Sequence, residues 1–228
     1  MSIAHDLHRY DDAQQLAAGL AGAVARDLAA AVQQRGSASL VVSGGSTPVP
    51  LFRLLRHLPL PWEHITITLA DERWVDPQDA ASNERLLRQE LLQDKAASAH
   101  FIPLKNAAPT PAAGAGSAWS ALQAVPRPFD VVLLGMGDDG HTASLFPGSP
   151  GIDAALAVDA APGCVAMTAP VPPTARLSLN AAALLQTRQL YLHFTGAAKW
   201  QVWAGATDLP IGLTLRRAAS RPQVYGSP

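Results

Sequence analysis

Between residues 11 and 34, Leu16, Leu20, Val24 and Leu28 recur at helical spacing. This stripe predicts an amphipathic helix, with Asp11 or Asp12 at its start and Gly36 as its stop. The pattern then shortens. Ser39-Leu40-Val41-Val42 predicts a strand, the turn Ser43-Gly44-Gly45-Ser46-Thr47-Pro48 follows it, and residues 49–57 predict a helix. Residues 65–70 are β-branched and apolar, predicting a second strand that ends at Asp71-Glu72-Arg73. A helix is expected over 83–93. Residues 107–117 are rich in Ala, Gly and Pro and read as an exposed loop. Residues 129–134 form the clearest buried strand and run into Gly135-Met136-Gly137-Asp138-Asp139-Gly140-His141. Residues 142–146 begin a helix or turn. A strand is expected at 164–168, then a proline-rich turn, a helix over 179–185, a strand over 189–194 and a helix over 199–203. The last residues show little periodicity.

Strands alternating with helices define an α/β fold: a layered, mainly parallel sheet with helices on both faces. In such sheets ligands sit beyond the carboxyl ends of the strands. Residues 43–47, 71–73, 135–141 and 195–199 all follow strand ends, so they are expected on one rim. No internal repeat or linker interrupts the pattern, and residues 1–228 read as one domain.

Composition narrows the function classes. Of the 228 residues 48% are hydrophobic and 15% charged, which suits a compact α/β enzyme. Net charge is −1, with no basic block to hold nucleic acid. An anionic ligand must therefore be held by a few placed groups. No run reaches the ~18 uninterrupted apolar residues of a membrane span, and the N-terminus lacks the pattern of a signal peptide. The lone Cys164 forbids an intrachain disulfide and fits the cytoplasm; as a nucleophile it has little support. No long exposed apolar motif is apparent, so a monomer is expected.

Four groups of residues carry candidate chemistry. Gly44, Gly45, Ser46 and Thr47 sit between a strand and a helix, where free N–H groups and hydroxyls suit a phosphate. The same residues also suit a plain helix cap. Neither the Walker A ending nor G-x-G-x-x-G is present. Asp71, Glu72 and Arg73 either line a polar cleft or form a solvated turn. His141 follows a buried strand, where a neutral imidazole is a natural general base, and Asp139 stands two residues away to fix its tautomer. A capping histidine is the alternative. Arg176 and Lys199 are either surface cations or phosphate ligands on the same rim. His193 reads as a satisfied core histidine. No pattern of metal-ligand spacing is found, and G-x-S-x-G is absent, which weakens Ser43 and Ser46 as nucleophiles.

These segments resemble the 6-phosphogluconolactonase family. The resemblance rests on the 43–48 turn, Asp71-Glu72-Arg73 with Ser82-Asn83, and the long stretch from Gly135 through His141 to Gly148. Residues 173–179 and Thr195-Gly196 with Lys199 extend it in the same order. Asp138 departs from the proline usual in the family; little after Asp208 can be matched. The resemblance implies a fold like that of glucosamine-6-phosphate deaminases and ribose-5-phosphate isomerases. It implies hydrolysis of 6-phospho-D-glucono-1,5-lactone in the oxidative pentose phosphate pathway, with no metal and no organic cofactor. The only partner it implies is the small sugar-phosphate lactone.

On that reading His141, Asp139 and Arg73 are catalytic. Ser43, Gly44, Gly45, Ser46, Thr47, Asp71, Asn83, Gly137, Arg176 and Lys199 bind substrate or its phosphate. The oxyanion donor is either Arg73 or the backbone near Gly137. Two alternatives share the fold: a glucosamine-6-phosphate deaminase and a non-catalytic sugar-phosphate sensor. The deaminases carry an acidic residue shortly after the histidine, where this chain has Ser144-Leu145-Phe146-Pro147. A sensor would keep the phosphate site and lose the base, whereas His141 is present.

Overall fold

The computed structural model describes residues 3–228. In chain order the elements are β1 (Asp6–Arg9), α1 (Ala13–Arg35), β2 (Ala38–Val42), α2 (Val49–Leu55), β3 (Ile65–Leu69), β4 (Asp71–Arg73) and α3 (Asn83–Glu90). Then come β5 (His100–Ile102), α4 (Pro111–Leu122), β6 (Phe129–Gly135), α5 (Ile152–Leu156), β7 (Cys164–Thr168), β8 (Ala175–Leu179) and α6 (Ala181–Leu184). The chain closes with β9 (Thr187–Thr195), α7 (Ala197–Ala204), α8 (Pro210–Leu215) and β10 (Gln223–Ser227).

Seven strands form one sheet in the order β1-β10-β9-β6-β2-β3-β5, and every neighbouring pair is parallel. All five residues of β2 are buried, as are the first six of β6. Burial on both faces requires cover on both sides, which is why Leu40-Val41-Val42 and Val131-Val132-Leu133-Leu134 are apolar without alternation. The long helix α1 lies across β2, β6 and β10. Asp12 caps it by accepting from the Gln15 N–H, and Gly36 ends it in the left-handed region at φ 76°. By length and composition α1 is apolar enough to cross a membrane. Here Leu16, Leu20, Val24 and Leu28 are instead buried against the protein.

Several expectations need correction. Asp71-Glu72-Arg73 is a strand rather than a turn. It joins β8 and β7 in a second, antiparallel sheet of order β4-β8-β7. Ala70 is the switch: its N–H bonds Val42 of the large sheet, and its carbonyl accepts from Leu179 of the small one. Residues 107–117 do not remain a loop. Thr110 caps α4 through the Ala113 N–H at 3.2 Å, and Pro111 fills the first helical turn. Gly114, which argued for a loop, instead lets Trp74 approach: a Cβ there would lie 2.4 Å from the indole. The C-terminal region holds α8 and β10, and β10 runs buried between β1 and β9. The short strands β1, β5 and β8 carry no periodic signature of their own. Leu179 closes β8 rather than opening a helix.

Candidate active site

A cavity of about 230 Å³ opens at the carboxyl ends of β2, β6 and β9. Its wall includes Ser43, Gly44, Gly45, Ser46, Thr47, Asp71, Arg73, Asn83, Gly137, His141, Arg176 and Lys199. The four strand-end segments therefore meet. Asp139 stands just behind the wall, beside His141.

The β2–α2 turn supplies backbone donors. Among the described residues, no acceptor bonds the N–H of Gly44, Gly45, Ser46 or Thr47. Gly45 sits at φ 95°, a conformation that suits only glycine. Gly44 packs under Asn83, whose Oδ1 would lie 2.0 Å from a Cβ at that position. Ser43 Oγ is buried without a partner among the described residues. No capping side chain bonds the start of α2, so the cap reading of Ser46 and Thr47 has no hydrogen bond behind it.

The strand β4 sorts its three charges by the alternation of a pleated strand. Asp71 and Arg73 line the cavity, while Glu72 points away. Glu72 accepts from the N–H groups of Arg73, Asn83 and Glu84 at 2.6, 2.7 and 2.7 Å and so caps α3. Burial pushes its carboxyl up, and these bonds pull against that. The Asp71 carboxylate accepts from Ser144 Oγ at 2.5 Å, and its carbonyl accepts from Asn83 Nδ2 at 2.9 Å. Arg73 is held by the Ala81 carbonyl rather than by Asp71; its Nε is buried without a partner among the described residues.

Pairing of β4 with β8 sets Arg73 directly beside Arg176. Arg176 is buried, donates from Nε to the Pro173 carbonyl at 2.8 Å, and forms no ion pair within the described residues. Burial, then the Arg73 charge, lowers its pKa, against the pull of Asp71 and Glu72. Two adjacent guanidiniums in one cavity call for an anion. Lys199, in the first turn of α7, adds a third cation to the wall.

The β6 loop turns on itself. The Gly137 N–H donates to the His141 carbonyl at 2.9 Å, and Gly140 has φ 77°. Asp139 Oδ1 lies 2.5 Å from His141 Nδ1 and also accepts the His141 backbone N–H at 3.1 Å. Burial alone would raise the Asp139 carboxyl; its contacts with His141 outweigh that and hold it below the ordinary value. Phe146 packs on the His141 ring at 4.4 Å. Ile211 of α8 donates its N–H to the Gly140 carbonyl, so the C-terminal region braces this loop. A Cβ on Gly140 would strike Leu209 at 2.4 Å.

The sequence alone assigns Ser144 no task, groups Glu72 with the charges of the cleft or turn, and reads His193 as a core histidine. Ser144 lies inside the expected motif but had no task. His193 is buried on the cavity wall and has no hydrogen-bond partner among the described residues, so it is not a satisfied core histidine. Cys164 is half-buried, and burial pushes its thiol up to about 12, which removes it as a nucleophile near neutral pH. Among the described residues no group of three or more His, Cys, Asp or Glu side chains stands at metal-binding spacing.

A parallel sheet whose strand ends close on a cation-lined cavity, with a histidine–carboxylate pair at its edge, is the layout of an α/β enzyme. The chain belongs to the family of glucosamine-6-phosphate isomerases/6-phosphogluconolactonase, which matches residues 11–219. It is 43% identical over 229 residues to a 6-phosphogluconolactonase of Rhizobium meliloti (strain 1021), covering 98% of this chain and 99% of that one. The crystal structure of a 6-phosphogluconolactonase from Shewanella baltica OS155 matches with TM-score 0.94 at 44% identity, covering 98% of each chain. A monomeric glucosamine-6-phosphate deaminase shares the fold at TM-score 0.78 and 17% identity, covering 97% of each chain.

Proposed function

We propose that this chain hydrolyses 6-phospho-D-glucono-1,5-lactone to 6-phosphogluconate, with His141 as general base. The observation that carries the reading is the His141–Asp139 contact of 2.5 Å, set on a cavity that also holds two arginines, a lysine and four free backbone N–H groups. Such a site separates two tasks. One wall binds a dianion, and the other moves a proton.

The phosphate is bound by the N–H groups of Gly44, Gly45 and Ser46 with Arg176 and Lys199. Ser43 and Thr47 complete this wall. Anchoring the remote phosphate orients the ring and turns binding energy into positioning at the reacting carbon. His141 takes a proton from water as the water attacks the lactone carbonyl. The carbon–oxygen bond to the ring oxygen then breaks, and protonated His141 returns the proton to that oxygen. Asp139 holds the ring with Nδ1–H toward itself, leaving Nε2 to act. Negative charge on the carbonyl oxygen needs a donor. The Gly137 N–H is already committed to His141, which favours Arg73. Asp71 and Asn83 hold the frame around it.

Hydrolysis is favoured over deamination because Ser144, Leu145, Phe146 and Pro147 occupy the stretch where the deaminases are expected to carry an acidic residue. The reading places the chain in the oxidative pentose phosphate pathway, as one domain, monomeric and cytoplasmic. The decisive assay supplies freshly generated 6-phosphogluconolactone and follows NADP reduction by coupled 6-phosphogluconate dehydrogenase. Wild type, His141→Ala and a no-enzyme blank run together, because the lactone also hydrolyses unaided. Turnover in the variant is expected to fall by about two to four orders of magnitude. Near-normal turnover would sink the assignment of the base, and no acceleration by folded wild type would sink the lactonase reading.

A further inference from the structure

His193 lines the same cavity as His141, yet the reaction above gives it no task. It lies on β9, in register with Gly135 of β6 and Tyr225 of β10, and is 4% exposed. No group among the described residues hydrogen-bonds its ring, and its nitrogens are not among the polar atoms sealed off without a partner. The ring therefore opens onto the cavity. A buried polar group without a partner is costly, and most find one. The partner of this one is expected in the cavity.

Position says which ligand atom that is. In the large sheet β9 neighbours β6, and β6 neighbours β2. His193 is in register with Gly135 at the end of β6, and both line the cavity together with Gly44 and Lys199. Lys199 follows just beyond the Thr195-Gly196 turn. No carboxylate bonds His193, unlike His141, so nothing prepares it to take a proton. Burial, then the Lys199 charge, lowers its pKa to about 4. A neutral imidazole keeps one N–H donor and one acceptor. It can bond a phosphate oxygen without adding another cation beside Lys199 and Arg176.

Building on the lactonase reading, we propose that His193 is a substrate-contacting residue that donates an N–H to the substrate phosphate and thereby helps select phosphorylated over unphosphorylated lactones.

The test titrates inorganic phosphate and 6-phosphogluconate into wild type, His193→Gln and His193→Leu by calorimetry. It also measures kcat and KM on 6-phosphogluconolactone and on unphosphorylated glucono-1,5-lactone. His193→Leu is expected to weaken phosphate binding roughly ten-fold or more, the worth of a hydrogen bond to a charged group. KM for the phosphorylated lactone should rise by a similar factor, while kcat/KM for the unphosphorylated one stays within about two-fold. His193→Gln, which keeps an N–H, should restore most of the loss. Unchanged phosphate affinity in a folded leucine variant overturns the proposal. Should that variant not fold, nitrogen-15 spectra of wild-type His193 decide. A ring-nitrogen shift on adding phosphate supports the contact, and an unmoved signal overturns it. Phosphate binding needs no turnover, so a chain that binds phosphate through His193 but hydrolyses no lactone would lose the lactonase reading alone.

Discussion

Replacing Gly137 by alanine should damage catalysis while sparing the fold. A Cβ at Gly137 would lie 2.1 Å from both Nδ1 and Cε1 of His141 and 2.8 Å from Asp139 Oδ1. Ordinary contacts of this kind sit at about 3.5–4.0 Å, so the ring must move by more than about 1 Å. That movement breaks the 2.5 Å contact between His141 and Asp139. A catalytic group displaced by about 1 Å costs roughly a hundred-fold in rate, so kcat should fall by about that factor. Gly137 is not in the left-handed region, so alanine fits its backbone. Alanine also restricts the unfolded chain, a gain of about 0.4–1 kcal/mol that offsets part of the local disturbance. The melting temperature should therefore stay within about 4 °C of wild type. The coupled lactone assay, run beside thermal unfolding, separates the two effects. Gly116→Ala is the control, because a Cβ there meets nothing within 4 Å. It lies within α4, so it should raise stability by about 0.5–1 kcal/mol and leave activity unchanged. Wild-type kcat in folded Gly137→Ala would refute the claim that turnover needs the observed histidine–aspartate geometry.

Other outcomes follow from the same structure. Arg176→Lys, which loses the planar fork, should raise KM for 6-phosphogluconolactone about ten-fold with a smaller effect on kcat, read from steady-state kinetics. Glu72→Ala leaves the start of α3 without its carboxylate cap and should cost about 2–4 kcal/mol in urea unfolding. Asp130 accepts the Ser39 N–H at 2.8 Å and pairs with Arg35, at the end of the sheet opposite the cavity. Asp130→Ala should therefore lower stability by a similar amount while kcat at low temperature is unchanged. His193 is held neutral, with its pKa moved from 6.5 down to about 4. The unfolded chain binds that proton more readily, so the stabilisation is full above about pH 6.5 and is lost as pH falls toward 4. It amounts to about 3 kcal/mol. Urea midpoints of wild type should fall over this window more steeply than those of His193→Gln; parallel curves would contradict it.

Much of this protein was legible in local pattern. The strands at 38–42, 65–69, 129–135 and 187–195 each hold a short apolar or β-branched core, because both faces of the parallel sheet are covered there. Their polar and glycine-rich ends mark where the chain must turn, and a parallel sheet puts all those turns on one rim. Asp139 and His141 are two residues apart, so their contact is a local event that the loop sequence already contains. The glycines of the 43–47 turn likewise announce a backbone left open to a ligand.

What the sequence by itself determined, then, is the set of central strands, the turns that follow them and the histidine–aspartate pair, because each depends on residues close along the chain. Tertiary structure decided the rest. Three-residue β4 carries too little pattern to declare itself, and only pairing with distant β8 makes it a strand and sets Arg73 beside Arg176. The same pairing turns Glu72 away from the cavity to cap α3. β10 and β1 become strands through hydrogen bonds that extend the sheet beyond β9, not through periodicity. His193 looked like any core histidine, since its lack of a partner is a property of the cavity and not of its neighbours in the chain. Register between distant segments is fixed by long-range packing and hydrogen bonding, which a local reading of hydrophobic and polar positions does not contain.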